Sequence, residues 1–151
     1  MEIVRLDINR FESIKAEIKG LIKESMVFSF PKYKISPNYY DDRLSCLETY
    51  IKDRSAIIYV ALDEDKIIGW IWCHEIYRFD KKRLHVSNFA VNSNSRNKGV
   101  GNMLIAEAEK YAQDNGYSGL DLLVTKDNKS AVSFYFNHGY EVERYLLKKE
   151  L

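Results

Sequence analysis

The sequence predicts a mixed α/β fold: a mostly antiparallel sheet with one central parallel pair and helices on both faces. Three observations carry this. The hydrophobic period alternates between helical and strand spacing along all 151 residues, with no linker, repeat or low-complexity tract, so 1–151 reads as one domain. Two strand-period runs, Ser55–Leu62 and Ile67–His74, are joined by the polar turn Asp63-Glu64-Asp65-Lys66 and read as a hairpin. A helix-length segment separates the strand ending at Val91 from the strand starting at Gly119, so this pair is expected to be parallel in a right-handed crossover.

In chain order, Glu2–Asp7 alternates and reads as a short strand. Ile14, Ile18, Leu21 and Ile22 recur at helical spacing, predicting a helix over Arg10–Ser25. Phe28–Asp42 holds both prolines, Pro31 and Pro37, with Phe30, Tyr33, Tyr39 and Tyr40, and reads as an aromatic loop. Leu44, Leu47, Tyr50 and Ile51 give a second helical stripe ending near Arg54. The hairpin follows, with Trp70 and Trp72 on one face of its second strand, and then a strand over Arg83–Val91. Gly99–Asn115 carries Val100, Met103, Leu104, Ala108 and Tyr111 at helical spacing and stops at Gly116. Gly119–Val124 reads as strand, Asn128–His138 as helix and Tyr140–Leu147 as strand, so the expected order is β-α-α-β-β-β-α-β-α-β.

Composition removes several function classes. With 46% apolar residues the chain is not disordered, and a chain of this size is expected to bury about 68–70% of its unfolded surface without staples or metal. The longest apolar run, Ala56–Leu62, is far short of the roughly 18 residues of a membrane span, and the N-terminus has no signal-peptide character, so a cytoplasmic location without membrane association is expected. A net charge of +1 argues against a sequence-independent nucleic-acid binder. Cys46 and Cys73 lack metal-site spacing, and both are expected to be small buried hydrophobes; no metal is implied.

The stretch Val91-Asn92-Ser93-Asn94-Ser95-Arg96-Asn97-Lys98-Gly99-Val100-Gly101-Asn102 joins a strand to a helix N-terminus. Such termini expose unpaired N–H groups and a partial positive charge, and usually attract Asp or Glu. This entry instead carries Arg96 and Lys98 and no local carboxylate. Cations on the positive end of a dipole are tolerated when an anion binds there, and Gly99 and Gly101 permit close approach, so the segment reads as a phosphate cradle. It is neither a P-loop nor a dinucleotide fingerprint, since it lacks G-x-x-x-x-G-K-[ST] and a third glycine.

Here the chain resembles the GNAT superfamily of N-acetyltransferases across nearly its whole length. The strand ending in Val91, followed by Arg96-x-x-Gly99-x-Gly101, is similar to the family's R/Q-x-x-G-x-G/A motif. Asn128-Lys-Ser-Ala131-Val-Ser-Phe134-Tyr135, then Gly139-Tyr140, is similar to the family's N-x-x-A-x-x-F-Y…G-F/Y segment. The resemblance implies acetyl-CoA as co-substrate, with its pyrophosphate on Arg96, Asn97, Lys98, Gly99, Val100, Gly101 and Asn102. It further implies that strands splaying at Phe89, Ala90 and Val91 receive the pantetheine arm, with Asn128 and Tyr135 also at the cofactor. Homodimers recur in the family, and that expectation carries to this chain.

The implied chemistry is direct transfer of acetyl to a primary amine of a small molecule, peptide or protein. Tyr135 is the expected proton donor to the departing thiolate, since a phenol of pKa about 10 is protonated at neutral pH. His85, matching the family's strand glutamate, is the first candidate for the base, and Glu75 the second. Tyr33, Tyr39, Tyr40 and Trp72, rimmed by Asp41 and Asp42, form the expected aromatic acceptor cleft, suited to a cationic amine. The alternatives are a catalytically silent acyl-CoA-binding or regulatory module and a toxin acetylating aminoacyl-tRNA. The toxin needs a basic patch such as Lys32, Lys34, Arg78, Lys81, Lys82 and Arg83.

Overall fold

A computed structural model describes residues 1–151. Its elements are β1 (Glu2–Arg5), α1 (Phe11–Ser29), α2 (Pro37–Lys52), β2 (Ile57–Asp63), β3 (Lys66–Arg78), β4 (Lys81–Val91), α3 (Val100–Asp114), β5 (Leu120–Leu122) and α4 (Lys129–Asn137). The five strands lie in one sheet in chain order. All pairings are antiparallel except β4 with β5, which is parallel through the α3 crossover as expected.

Alternation along the strands builds two cores. Ile58, Val60, Trp70, Trp72 and Ala90 face α1 and α2, where Ile18, Leu21, Ile22, Leu44 and Leu47 close over them. Ile57, Tyr59, Ala61, Ile71, Cys73, Leu84 and Val86 face the opposite side, covered by Val100, Leu104, Ile105, Ala108 and Ala112 of α3. β2 is therefore buried on both faces, which explains its unbroken apolar run. No helix is long and apolar enough to cross a membrane.

Five expectations are corrected. The aromatic loop is shorter than expected, because α1 runs on to Ser29 and α2 begins at Pro37, leaving 30–36 as the connection. Proline at the first helical position costs no hydrogen bond, so Pro37 starts a helix where it was expected to sit in a loop. β3 and β4 are longer than expected and meet at Phe79-Asp80, both with positive φ (50° and 62°). That two-residue turn lacks the glycine or asparagine that normally signals it.

The expected strand over Tyr140–Leu147 does not form; residues 138–151 have no regular structure. The edge that would receive it, β5, is only three residues long. Side chains hold the segment instead. Arg83 donates through both terminal nitrogens to Glu143, at 2.9 and 2.7 Å, and Lys148 donates to the Tyr33 hydroxyl at 2.7 Å. Cys73 is buried as expected, whereas Cys46 is exposed, because its position on α2 lies off the stripe of Tyr40, Leu44 and Leu47.

Candidate functional site

β4 and β5 are paired only from Leu84↔Leu120 to Val86↔Leu122. β4 continues to Val91, so Ser87–Val91 has no strand on its outer edge. Backbone groups there have no ladder partner on that side; arginine side chains take the carbonyls of Ser87 and Val91, and the groups between them are available to a ligand. A cleft of about 410 Å³ opens at this point. Phe89, Ala90 and Val91 form its floor, Arg96, Asn97, Gly99, Gly101 and Asn102 one wall, and Asn128, Ala131, Phe134 and Tyr135 another. Ser25, Phe28 and Ser29 at the end of α1 close it.

Ten of the twelve residues expected at the cofactor line this cleft. Val100 and Lys98 do not. The Val100 side chain is 1% exposed in the α3 core, and Lys98 is exposed outside the lining. The two glycines have different causes. Gly99 caps α3 with φ +81°, a left-handed geometry that L residues resist. Gly101 sits where a Cβ would come within 3.3 Å of the Phe134 ring and 3.6 Å of Phe89, so its absence lets α4 close against α3. No side chain caps α3 and its first turn holds no acid, so the N–H groups at its start are free of protein partners.

An acid nevertheless reaches the loop from a distance. Glu24 of α1 accepts from the Ser93 amide at 2.6 Å and lies 3.9 Å from Arg96. Arg96 also donates to the Val91 carbonyl at 3.2 Å, with its guanidinium 4.3 Å from the Phe28 ring centroid. The cationic loop is therefore part-neutralised, which its local sequence did not reveal.

Asn128 caps α4, its Oδ1 accepting from the Ala131 amide at 3.2 Å, while its Nδ2 donates to Ser29 at 3.1 Å and ties α4 to α1. About two turns further on, Tyr135 packs against Phe89, Phe134 and Tyr140. Burial pushes its phenol well above the usual range, so it holds its proton at neutral pH. No protein group takes the hydrogen bond of that hydroxyl.

The other candidates separate by face. His85 pairs across β5 with Asp121, Nδ1 to Oδ1 at 2.6 Å. Arg78 donates to the same carboxylate at 2.8 Å, and Arg83 stands 3.6 Å from it. Burial alone would raise the Asp121 carboxyl, but the hydrogen bonds from Arg78 and His85 outweigh it and hold the group below the usual aspartate range. His74 lies opposite His85 on β3, bonded through Nδ1 to the Ser87 hydroxyl at 2.8 Å. Burial, and then the neighbouring His85, hold its pKa below the ordinary histidine value. Glu75 points to the other face of β3, where it accepts from Tyr117 at 3.2 Å and meets Lys82 at 3.8 Å. The strand's period of two puts it on the opposite face from His85, which removes it as the second base.

The aromatic cleft is also corrected. Trp72 is 2% and Tyr40 6% exposed, both in the core beneath α1 and α2, because the Trp70/Trp72 face is the buried face. Tyr39 is half-buried against Met26, and Tyr33 is exposed beneath Lys148. Asp41 is paired with Lys19. The residue that does approach β4 from α2 is Arg43, donating to the Ser87 carbonyl at 3.1 Å. Half of the basic set expected of an RNA-facing patch is occupied, since Arg78, Lys82 and Arg83 are ion-paired. No group of three or more His, Cys, Asp or Glu side chains is placed to hold a metal.

Sequence reading missed Glu24, Asp121 and Arg43. Asp121 had a signal, as the lone acid in a strand expected to run parallel beside His85; Glu24 and Arg43 had none within their own segments.

Comparison with known proteins agrees with this geometry. The model of the acetyltransferase (GNAT) family matches residues 20–140. Human N-acetyltransferase 8 is 26% identical over 66% of this chain and 45% of its own length. The uncharacterized N-acetyltransferase YhfO of Bacillus subtilis is 29% identical over 63% of this chain and 65% of its own. The chain spans about half the length of the mammalian relatives it matches. A putative acetyl transferase from Pyrococcus furiosus superposes with a TM-score of 0.77 at 27% identity, covering 99% of this chain and 100% of that one. An aminoglycoside acetyltransferase from a soil metagenome, solved with sisomicin, has the same fold, with a TM-score of 0.71 at 20% identity over 99% of this chain and 94% of that one. With a family model covering most of its length and a β4 edge left open beside a glycine-entered helix, the chain belongs to the GNAT acetyltransferase family.

Proposed function

We propose that the chain is an acetyl-CoA-dependent N-acetyltransferase that transfers acetyl directly to a primary amine. The observation that carries this is the open β4 edge at Ser87–Val91, facing the same cleft as the uncapped α3 N-terminus and Tyr135. The residues present fit acetyl-CoA. Free N–H groups at the start of α3 and Arg96 suit a pyrophosphate, and the strand-free edge at Phe89 and Ala90 suits the amides of a pantetheine arm.

When bound, acetyl-CoA would supply an acetyl thioester at the β4 edge. The chain's own residues then have separable tasks. An N–H on the open edge donates towards the developing oxyanion. His85, held by Asp121, takes the proton the amine loses as its nitrogen bonds to the acetyl carbon. Tyr135, kept protonated by burial, returns a proton to the sulfur as the C–S bond breaks. Phe89 and Phe134 give the cleft an apolar surface.

Thermal unfolding with and without saturating acetyl-CoA tests the reading. At 100 times Kd a ligand specific to the native state adds about 2.7 kcal/mol, a rise of several degrees for this size. The shift should vanish in Gly101→Glu, provided the variant itself unfolds cooperatively. A cooperative wild-type transition that acetyl-CoA leaves unmoved refutes the proposal.

A further inference from the structure

We propose that the amine acceptor carries a carboxylate close to its amino group, as an α-amino acid does, and that Arg43 is the residue that selects it. This rests on the acetyltransferase reading above and deepens it. Arg43 reaches from α2 to the point where β4 leaves β5: its Nη2 donates to the Ser87 carbonyl, one residue beyond the last β4–β5 pair. Three arginines gather at this end of the sheet face. Arg78 is paired with Asp121 and Arg83 with Glu143 and Asp121, whereas Arg43 has no carboxylate within ion-pairing distance. A guanidinium has five N–H donors in a planar fork, and the single bond to Ser87 uses only a small part of it.

The neighbouring polar atoms are unsatisfied in a complementary way. The guanidinium lies 5.5 Å from the ring centroid of Trp72, whose indole N–H is buried without an acceptor. Asn88, paired in register with Trp72 and next to Ser87, has a buried side-chain oxygen without a donor. Buried polar groups are nearly always bonded, so the vacant Asn88 oxygen beside the open fork of Arg43 marks what a ligand would supply. The open fork of Arg43 takes an acceptor, best an anion. Asn88 requires N–H donors, which an amine has. A zwitterion provides both, and the His85–Asp121 pair stands within the same few residues of β4 to take the amine proton. Of the acidic rim expected from Asp41 and Asp42, Asp41 is occupied by Lys19.

The test is acetylation, followed by CoA thiol release, of two matched panels: the L-α-amino acids and their α-carboxamides. The wild-type protein should turn over the best acids at least tenfold more efficiently than the matched amides. Arg43→Met should bring the acid-to-amide ratio to within about twofold by losing the acids, with amide turnover and the acetyl-CoA thermal shift retained. Arg43→Lys, which keeps a charge but not the fork, should give an intermediate ratio and serves if the methionine variant fails to fold. Equal efficiency for acids and amides, preference for amides, turnover of neither panel, or an unchanged ratio in both variants overturns the proposal. Loss of the acetyl-CoA shift in the wild-type protein is a different result, and it would overturn the acetyltransferase reading instead.

Discussion

Replacing Asp121 with Asn should separate the proposed proton-transfer pair from the proposed acyl-donor cleft. The carboxylate is 16% exposed and serves three partners: His85 at 2.6 Å, Arg78 at 2.8 Å and Arg83 at 3.6 Å. Charge-assisted hydrogen bonds contribute about 1.5–3 kcal/mol when desolvated. Arg78 and Arg83 are 35% and 23% exposed and keep water as an alternative partner, which discounts the loss to about 1–2 kcal/mol. For a chain of this length that is a fall in Tm of about 2–8 °C. Asn cannot hold the imbalance of positive charge, and the imidazole loses the anchor that fixes its orientation. General bases contribute about 10²–10⁴-fold, so losing orientation should lower kcat by about 10- to 100-fold while the acetyl-CoA Kd stays within twofold. The assay is steady-state CoA release with calorimetric binding of acetyl-CoA on the same preparation. The sign with pH is also fixed. Because folding depresses the Asp121 pKa, its stabilisation is fully present above the ordinary value near about 3.9 and is lost as pH falls through the folded value. The stabilities of wild type and Asp121→Asn should therefore converge on acidification. An unchanged kcat in a variant that binds acetyl-CoA normally would refute the role assigned to the pair.

Three further outcomes are expected. Tyr135→Phe should lower kcat by about 10- to 100-fold with Tm and acetyl-CoA affinity retained, since the hydroxyl bonds no protein group; a fall in Tm of several degrees would show that it is structural instead. Gly99→Ala should destabilise by about 1 kcal/mol from its φ of +81° alone, because nothing lies within 4 Å of the added methyl group, and Gly99→Asn should cost less, as read by urea unfolding. A thiol reagent should modify Cys46 in the native protein and Cys73 only on unfolding, because burial keeps the Cys73 thiol well above its usual range; rapid modification of both would contradict the packing of β3.

Much of the fold was legible because its signals are local. Ile18, Leu21 and Ile22 on α1, or Leu104, Ile105 and Ala108 on α3, recur at the helical period whatever covers them. The parallel β4–β5 pair followed from chain reach, since a helix between two strands forbids a hairpin. The loop with Arg96, Gly99 and Gly101 was legible for the same reason, being one continuous segment. Segments whose fate depends on a neighbour were misread. Pro37 looked like a breaker and is a helix start; Phe79-Asp80 lacked turn chemistry and still turns the chain. Tyr140–Leu147 has strand-like residues, but whether they pair is decided by the length of β5.

The same division holds at the site. Sequence alone placed most of the Phe89–Asn102 residues that line the cleft, because a strand, a loop and a helix N-terminus in succession impose their own geometry on that segment. It also placed Tyr135 on the same helical face as Ala131, about two turns beyond the Asn128 cap. Tertiary structure alone decided everything that needs two distant segments on one face. It put Glu24 on the loop amide, Asp121 on His85 and Arg43 at the β4 edge, with sequence separations of 69, 36 and 44 residues. It also turned Glu75 to the far face and sank Trp72 and Tyr40 into the core. Local periodicity fixes which way a side chain points relative to its own element, but which partner waits there depends on how sheet and helices stack.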